Sequence, residues 1–209
     1  MSLISTSDLR VYLSIEEGDR GPNEKLDSLA KSVEDFVDSF TNRKLEAQRY
    51  SSDPHFTYLD GTGESSIYLP QYPISYVYQA NVDSEREHGS ANDISLDDIF
   101  YYPNGKLISE AGYFTKGRRN VKVDYLAGYA PVVNGTFDSS VSTYPIPLDL
   151  KQVMIEMTVE TFKEGLTAIH TVSAGEHGDK IIRLLSQNSF WSNVLNKYKN
   201  FSACLEGED

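Results

Sequence analysis

Cysteine is almost missing from this chain of 209 residues, and Cys204 is the single example. One cysteine cannot form an internal disulfide, which excludes the disulfide-rich secreted domains and predicts folding in a reducing cytoplasm. No apolar run approaches the roughly 20 residues that cross a bilayer. The opening residues MSLISTSDLR lack the basic region and apolar core of a signal peptide, so we expect a soluble protein that is not exported.

Basic residues are scarce. The 19 Lys and Arg residues are outnumbered by 31 Asp and Glu residues, for a formal net charge of −12. Binding nucleic acid by neutralising phosphates needs clustered cations, so this balance argues against a free-standing DNA-binding protein. It is compatible with a surface that DNA passes without adhering. Tyrosine is abundant, at 14 residues, and its apolar ring with a hydrogen-bonding tip suits subunit interfaces as well as cores.

Motifs that carry chemistry are also missing. The stretch DGTGES, residues 60–65, lacks the Lys-Ser or Lys-Thr pair of a phosphate-binding loop and precedes a strand where that motif needs a helix. We interpret it as a hairpin turn between the two flanking strands. Neither a G-x-S-x-G nucleophile elbow nor an H-E-x-x-H zinc helix occurs. None of these catalytic, metal-binding or phosphate-binding motifs is therefore present in the sequence.

The four histidines are scattered: His55, His88, His170 and His177. Two of them lie in a repeated Glu-His-Gly tripeptide within polar segments. A metal shared between these segments would need three or four converging ligands, so solvated loop histidines are the favoured interpretation. The pair Asp97–Asp98 is interpreted in the same way, as the end of a charged loop.

Apolar periodicity separates helical from extended regions. Residues 1–48 predict two helices, a short one after a Ser-Thr-Ser cap and an amphipathic one of about 20 residues. Residues 49–130 alternate instead and predict an antiparallel sheet of short strands, with a turn at Asn104-Gly105. One of these strands, Ile74–Val82, is expected to place its even-numbered residues on one face. The polar run over residues 83–98 is interpreted as a surface loop.

The remainder of the chain returns to helical periodicity. Residues 131–144 have the composition of a linker, residues 145–201 predict further helices starting beside Pro147, and residues 202–209 form an acidic tail. The predicted fold class is α+β: a helical bundle from both chain ends with an inserted antiparallel β-sheet or hairpin region, within a single domain 1–209.

Two clusters are candidates for binding. Arg118 and Arg119 form the one basic knot, which suits an exposed turn and could also touch phosphate. An apolar stripe near the end either closes the helical core or is an anchor helix laid into a partner's groove. Its members are Phe190, Trp191, Val194, Leu195, Tyr198 and Phe201.

The sequence resembles the head-tail connector, or adaptor, family of tailed bacteriophages. The blocks that carry the resemblance occur in that family's order over most of residues 3–165: LISTSDLRVYLSI, VEDFVDSFTNRKLEAQRY, YLDGTGESSIYLPQYPIS, YPNGKLI, FTKGRRNVKVDYLAGY and PIPLDLKQVMIEMTVETFK. A looser block, SAGEHGDKI, follows. The chain departs from the family in its enlarged loops at 83–98 and 132–143.

The resemblance implies a structural virion protein at the head-tail junction, made in the host cytoplasm, without catalysis, cofactor or membrane contact. It implies a ring, expected to hold twelve copies, that binds the portal protein and then receives a stopper or tail-completion protein. DNA would pass through without sequence-specific binding. The C-terminal stripe would dock on the portal, Arg118 and Arg119 would lie near DNA, and a hairpin would form the subunit interface with Tyr58, Tyr68, Tyr72 and Tyr76.

Two other classes of function stay open. A β-rich module that recognises a glycan or peptide without catalysis would bind a small ligand and tolerate loss of both terminal helices. An enzyme that uses His88 and His177 would lose activity when either is replaced by alanine, although no surrounding constellation supports it.

Overall fold

The computed structural model describes residues 2–16, 19–52, 55–133, 136–163 and 188–200. The chain divides into two compact units: unit 1 combines Met1–Arg43, Ala130–Asp138 and Pro145–Asp209, and unit 2 combines Lys44–Tyr129 and Ser139–Tyr144. The described α-helices belong to unit 1, and the two larger sheets, both antiparallel, belong to unit 2. The mixed α+β class predicted from the sequence is confirmed.

Unit 1 contains four helices in its described part, drawn from both ends of the chain: α1 (Thr6–Leu13), α2 (Asn23–Thr41), α3 (Leu148–Lys163) and α4 (Ser189–Lys197). The residues at the two ends of α1 cap the helix as the sequence predicted at its start. The Ser5 hydroxyl accepts a bond from the Asp8 N–H at 3.1 Å and so caps α1. The helix ends at Ser14, which adopts a left-handed conformation.

Helices α2 and α3 form the centre of unit 1, because they pack against each other and each also packs against α1 and α4. The apolar stripe of α2, predicted from its 3.6-residue period, is buried at Leu26, Leu29, Val33 and Val37. The facing helix α3 buries residues on several sides, as a central helix must. Its buried residues are Leu150, Val153, Met154, Ile155, Met157, Thr158, Val159 and Thr161.

Unit 2 is organised around one long strand. Its larger sheet contains β1 (Gln48–Tyr50), β2 (Tyr58–Gly61), β4 (Ile74–Val82) and β7 (Gly117–Ala127), and each of the other three pairs with β7. A second sheet has the order β3 (Ser66–Tyr68), β6 (Lys106–Ser109), β5 (Ile99–Tyr101). One apolar core joins the two sheets, including Tyr50, Ile67, Ile74, Val77, Leu107, Phe114, Val121, Val123 and Tyr125.

The predicted hairpin at residues 60–63 is wrong. Strand β2 pairs with β7, whereas β3 pairs with β6 in the other sheet, so the two flanking strands are not partners. The Gly63 N–H instead donates to the Phe114 carbonyl at 2.7 Å, and the Phe114 N–H donates to the Glu64 carbonyl at 2.8 Å. The turn carries the chain from one sheet to the other, a task that needs the same turn residues as a hairpin.

The single face predicted for the even-numbered residues of β4 is also wrong. Register shifts lie between Ile74 and Tyr76 and between Val77 and Gln79. Each bulge moves the following side chains to the opposite face. As a result Val77 is buried, while Tyr76 and Tyr78 are exposed.

Two further connections were testable. The Asn104-Gly105 turn is confirmed: it joins β5 to β6, and Gly105 has a φ of 86°, which glycine adopts without strain. The segment interpreted as a linker, residues 131–144, contains two short paired strands, β8 (Val132–Val133) and β9 (Thr136–Phe137). Strands of two residues are too short to leave a periodic signal in the sequence.

Candidate interaction surfaces

The C-terminal apolar stripe does not form one free surface. Trp191, Val194 and Leu195 are 3%, 2% and 0% exposed, so these side chains belong to the core of unit 1. The Trp191 Nε1 donates to Glu156 Oε2 on α3 at 2.7 Å. Of the two interpretations of the stripe, burial supports the one in which it closes the helical core. In this conformation these three side chains are not exposed to a partner, and portal docking by the stripe stays a prediction.

The remaining members of the stripe have separate environments. Phe190 is 51% exposed, next to the Asn188 side chain that caps α4. Tyr198 is half-buried, and its hydroxyl donates to Asp149 Oδ1 at 2.6 Å. Phe201 lies outside the described residues. Among the described members of the stripe, Phe190 is thus the one with an exposed ring.

Asp149 links α4 to the first turn of α3. The hydrogen bond from Tyr198 is the largest cause that lowers the pKa of this carboxyl, and the Leu150 N–H and Lys197 lower it further. The position suits an anion, because the N–H groups of a first helical turn have no partners within the helix. Asp149 and Tyr198 therefore tie the end of α4 to α3 while the carboxyl is ionised.

We expect unit 1 to lose stability in acid partly through Asp149. A carboxyl with a lowered folded-state pKa contributes stability above its unfolded pKa, about 3.9, and loses it as the pH falls through the folded value. Asp149→Asn should cost less than about 1 kcal/mol at neutral pH, because solvent screens this partly exposed group. The variant should also show a shallower decline of unfolding free energy below pH 4 than the wild type. An identical acid slope for the two proteins would contradict this assignment.

The four tyrosines proposed as one interface hairpin lie in different places. Tyr58 is half-buried on β2, and Tyr76 is exposed on β4, both in the larger sheet. Tyr68 is exposed on β3 in the smaller sheet, and Tyr72 is half-buried between β3 and β4. Because β2 and β3 form no hairpin, the four tyrosines do not lie along one two-stranded ribbon. Tyr58 and Tyr76 share the larger sheet.

The outer face of the larger sheet groups aromatic and charged side chains. The Arg49 guanidinium binds Asp124 through two hydrogen bonds, of 2.9 and 2.6 Å. It also stacks on Tyr78, with its carbon 4.1 Å from the ring centroid, and the Tyr78 and Tyr76 ring centroids are 4.7 Å apart. Sequence reasoning missed Arg49 and Tyr78, because nothing local links residue 49 to residues 78 and 124.

A second aromatic and basic group lies further along the same face. The Tyr58 ring has the Lys122 ammonium 5.7 Å and the Arg119 guanidinium carbon 5.8 Å from its centroid. The His88 ring lies 5.2 Å away on the same tyrosine. Such separations permit cation–π attraction. Arg119, singled out in the sequence, is therefore part of a group with Tyr58.

Hydrogen bonds hold the backbone around the basic pair Arg118 and Arg119. Asn120 is buried, its Oδ1 accepts the Gly61 N–H at 2.9 Å, and its Nδ2 donates to the Thr115 carbonyl at 2.7 Å. Arg119 has a φ of 51°, and its N–H donates to Asp60 Oδ1 at 2.6 Å. Arg118 and Arg119 are both exposed. Arg118 and Arg119 thus lie at the start of β7, where hydrogen bonds from Asn120 and to Asp60 hold the backbone.

The loop after β4 is more ordered than its sequence predicted. Asp83 is 6% exposed and accepts the N–H groups of Glu85 and His88 at 2.9 and 2.8 Å. These backbone hydrogen bonds, led by the one from Glu85, lower the pKa of Asp83. Asn81, fully buried, donates to the Gly89 carbonyl. The sequence contains a signal for this order, because an aspartate side chain commonly accepts a hydrogen bond from the backbone N–H two residues later, as Asp83 does from Glu85.

The histidines give no metal centre in the described ranges. His88 Nδ1 lies 3.0 Å from Asn81 Oδ1, so this side chain helps to hold the loop. His170 and His177 lie outside the described residues, and His55 is exposed. No group of three or more His, Cys, Asp or Glu residues that could hold a metal occurs in the part of the chain that the structure describes. Within those same ranges, no helix is long and apolar enough to span a membrane.

No protein-family model matches the chain, and no curated protein matches it either. Several solved structures resemble it, and three of them are described here. One is described as "Neck of empty GTA particle computed with C6 symmetry", with a TM-score of 0.48, 14% identity, and coverage of 83% of this chain and 82% of that chain. "Virion of native gene transfer agent (GTA) particle" gives a TM-score of 0.49, 16% identity and coverage of 82% of each chain. "Neck of native GTA particle computed with C12 symmetry" gives a TM-score of 0.44, 15% identity, and coverage of 81% of this chain and 79% of that chain.

Proposed function

We propose that this protein is a non-enzymatic structural subunit of a phage-like virion, located at the head-tail junction. In this role it forms a ring under the portal, receives a stopper or tail-completion protein, and lets DNA pass. The ordered sequence blocks over residues 3–165 support the family, and no cofactor is needed for such a role.

The observation that carries the proposal is the concentration of exposed aromatic side chains on unit 2. They lie on the larger sheet, on the smaller sheet and in the segments that connect strands: Tyr76 and Tyr78; Tyr68, Phe100 and Tyr101; and Tyr102 and Tyr113. Exposed apolar patches of this kind mark protein interaction sites, and tyrosine is enriched at the centres of such interfaces. A subunit with two neighbours in a ring needs two different patches, because a head-to-tail contact never joins a patch to itself.

The negative net charge of the chain is compatible with a channel through which DNA passes. A formal net charge of −12 repels phosphate at a distance, which keeps moving DNA from being retained. Portal docking in this proposal involves Phe190, the exposed residue of the terminal stripe. The expected copy number of twelve comes from the family resemblance.

Electron microscopy of the portal protein from the same particle, with and without this chain, tests the proposal. We expect an added ring of density on one side of the portal, with twelvefold symmetry. Phe190→Ala should weaken this binding without changing the circular dichroism spectrum of the protein, and Tyr12→Ala provides an exposed aromatic control in unit 1. A portal that gains no density from the wild-type chain would refute the proposal.

The same experiment separates the main competitor. A glycan- or peptide-binding module would retain ligand binding in a variant that lacks α1 and α4, and it would leave the portal bare. A ring-forming subunit whose helices share one core should instead fail to fold without them.

A further inference from the structure

One surface of unit 2 combines aromatic rings and cations in direct contact. We call it the tyrosine–cation face; it consists of Arg49, Tyr58, Tyr76, Tyr78, Arg119 and Lys122. These side chains lie on the outer side of the larger sheet, because Lys122 alternates along β7 with the buried Val121 and Val123. Interfaces between proteins are enriched in tyrosine and arginine, which together supply many of the residues that dominate binding energy.

We propose that the tyrosine–cation face packs against a second copy of this chain. The inference rests on the proposed ring and deepens it by naming the contact. Since ring contacts join two different patches, the neighbour contributes another part of the same sequence.

Charge complementarity between the tyrosine–cation face and the acidic remainder of the chain favours a second copy as the partner. The face holds three cations, and Lys116 and Arg118 lie beside it, at the start of β7. The side chains of these two residues form no ion pair or hydrogen bond among the described residues. The whole chain nevertheless has 31 acidic and 19 basic residues, so the rest of its surface is acidic. A second copy therefore brings carboxylates to a face that gathers cations.

Nucleic acid fits this face less well. Arg49 is already paired with Asp124 by two hydrogen bonds, and Asp60 lies against Arg119. These carboxylates lower the local positive charge, while the net charge of −12 opposes the approach of phosphate. Both features favour a protein partner with scattered carboxylates over a uniform polyanion.

Zero-length carbodiimide cross-linking of the full chain tests the contact directly. An equal mixture of unlabelled and ¹⁵N-labelled protein distinguishes links between copies from links within one copy by mass spectrometry. We expect mixed-isotope links that join Lys122 or Lys116 to carboxylates of the second copy. Mixed-isotope links that involve only other lysines, or none at all, would overturn the inference.

Matched variants measure the strength of the contact. Tyr76→Ser combined with Arg119→Glu should weaken self-association in sedimentation equilibrium by at least about tenfold, the loss typical of interface hot spots. The control combines Tyr12→Ser on α1 with Lys31→Glu on α2, which removes one exposed tyrosine and reverses one exposed positive charge on the helices of unit 1. Equal association constants for the face variant and the control would contradict the inference.

Three further outcomes separate the alternatives. If the face variant loses affinity for random-sequence duplex DNA while its self-association is unchanged, the face belongs to nucleic acid and the inference is wrong. If copies cross-link through Lys122 while the wild-type chain adds no ring to the portal, the face is supported and the proposed function fails. If the ring forms and the face variant forms it equally well, the function stands and the inference fails.

Discussion

Trp191→Ala is expected to lower the free energy of unfolding by about 3–5 kcal/mol, the range for removal of a large buried aromatic side chain. The indole is 3% exposed and fills space between α4 and α3. Its loss also removes the 2.7 Å hydrogen bond to Glu156, whose carboxylate would then keep, among the described residues, the bond from Gln152. Urea unfolding followed by far-ultraviolet circular dichroism measures the change.

The neighbouring residue supplies the control. Phe190→Ala removes an aromatic ring that is 51% exposed on the same helix, so we expect a loss below about 1 kcal/mol. Trp191→Phe retains most of the volume and should fall between the two. If Trp191→Ala unfolds at the wild-type urea concentration and loses only portal binding, the residue is an anchor and the core interpretation is wrong.

Gly128→Ala is expected to destabilise unit 2 by on the order of 3 kcal/mol, from overpacking and an unfavourable backbone conformation together. Gly128 has a φ of 119°, which residues with a Cβ rarely adopt. A Cβ there would lie 2.6 Å from the Ala47 Cα and 2.7 Å from its nitrogen, which are backbone atoms that cannot rotate away. Because the chain at residues 45–47 is hydrogen-bonded to Tyr129, relief requires the end of β7 to move.

A glycine in open space provides the matched control. A Cβ at Gly112 would meet no atom within 4 Å, so Gly112→Ala should change stability by less than about 0.5 kcal/mol. Thermal unfolding of both variants and the wild type makes the comparison. Equal melting temperatures for the two alanine variants would contradict the prediction, because the backbone at residues 45–47 would then move away from the new Cβ without loss of stability.

Several elements could be predicted because their cause is local. The 3.6-residue spacing of Leu26, Leu29, Val33 and Val37 requires one buried helical face whatever covers it, and α2 has that face. Asn104-Gly105 forms its turn because Gly105 tolerates a positive φ and the asparagine accepts a local bond. The excess of carboxylates is likewise a property of composition alone.

The interaction surfaces depended on distant residues, and the sequence did not predict them. The turn at residues 60–63 has hairpin composition, yet β2 pairs with β7, about 60 residues away, since that pairing buries Val121 and Val123 in the shared core. Arg49, Tyr78 and Asp124 meet only after three strands have assembled.

The sequence by itself determined the helices of unit 1, the extended character of unit 2 and the acidic balance, because these follow from residue spacing and composition. Tertiary structure decided which apolar residues a partner can reach. Trp191 and Phe190 are adjacent and similarly apolar, and packing against α3 buries one while leaving the other exposed. Periodicity identifies a side chain that must be covered, but only the folded arrangement determines whether the cover comes from the same chain or from another.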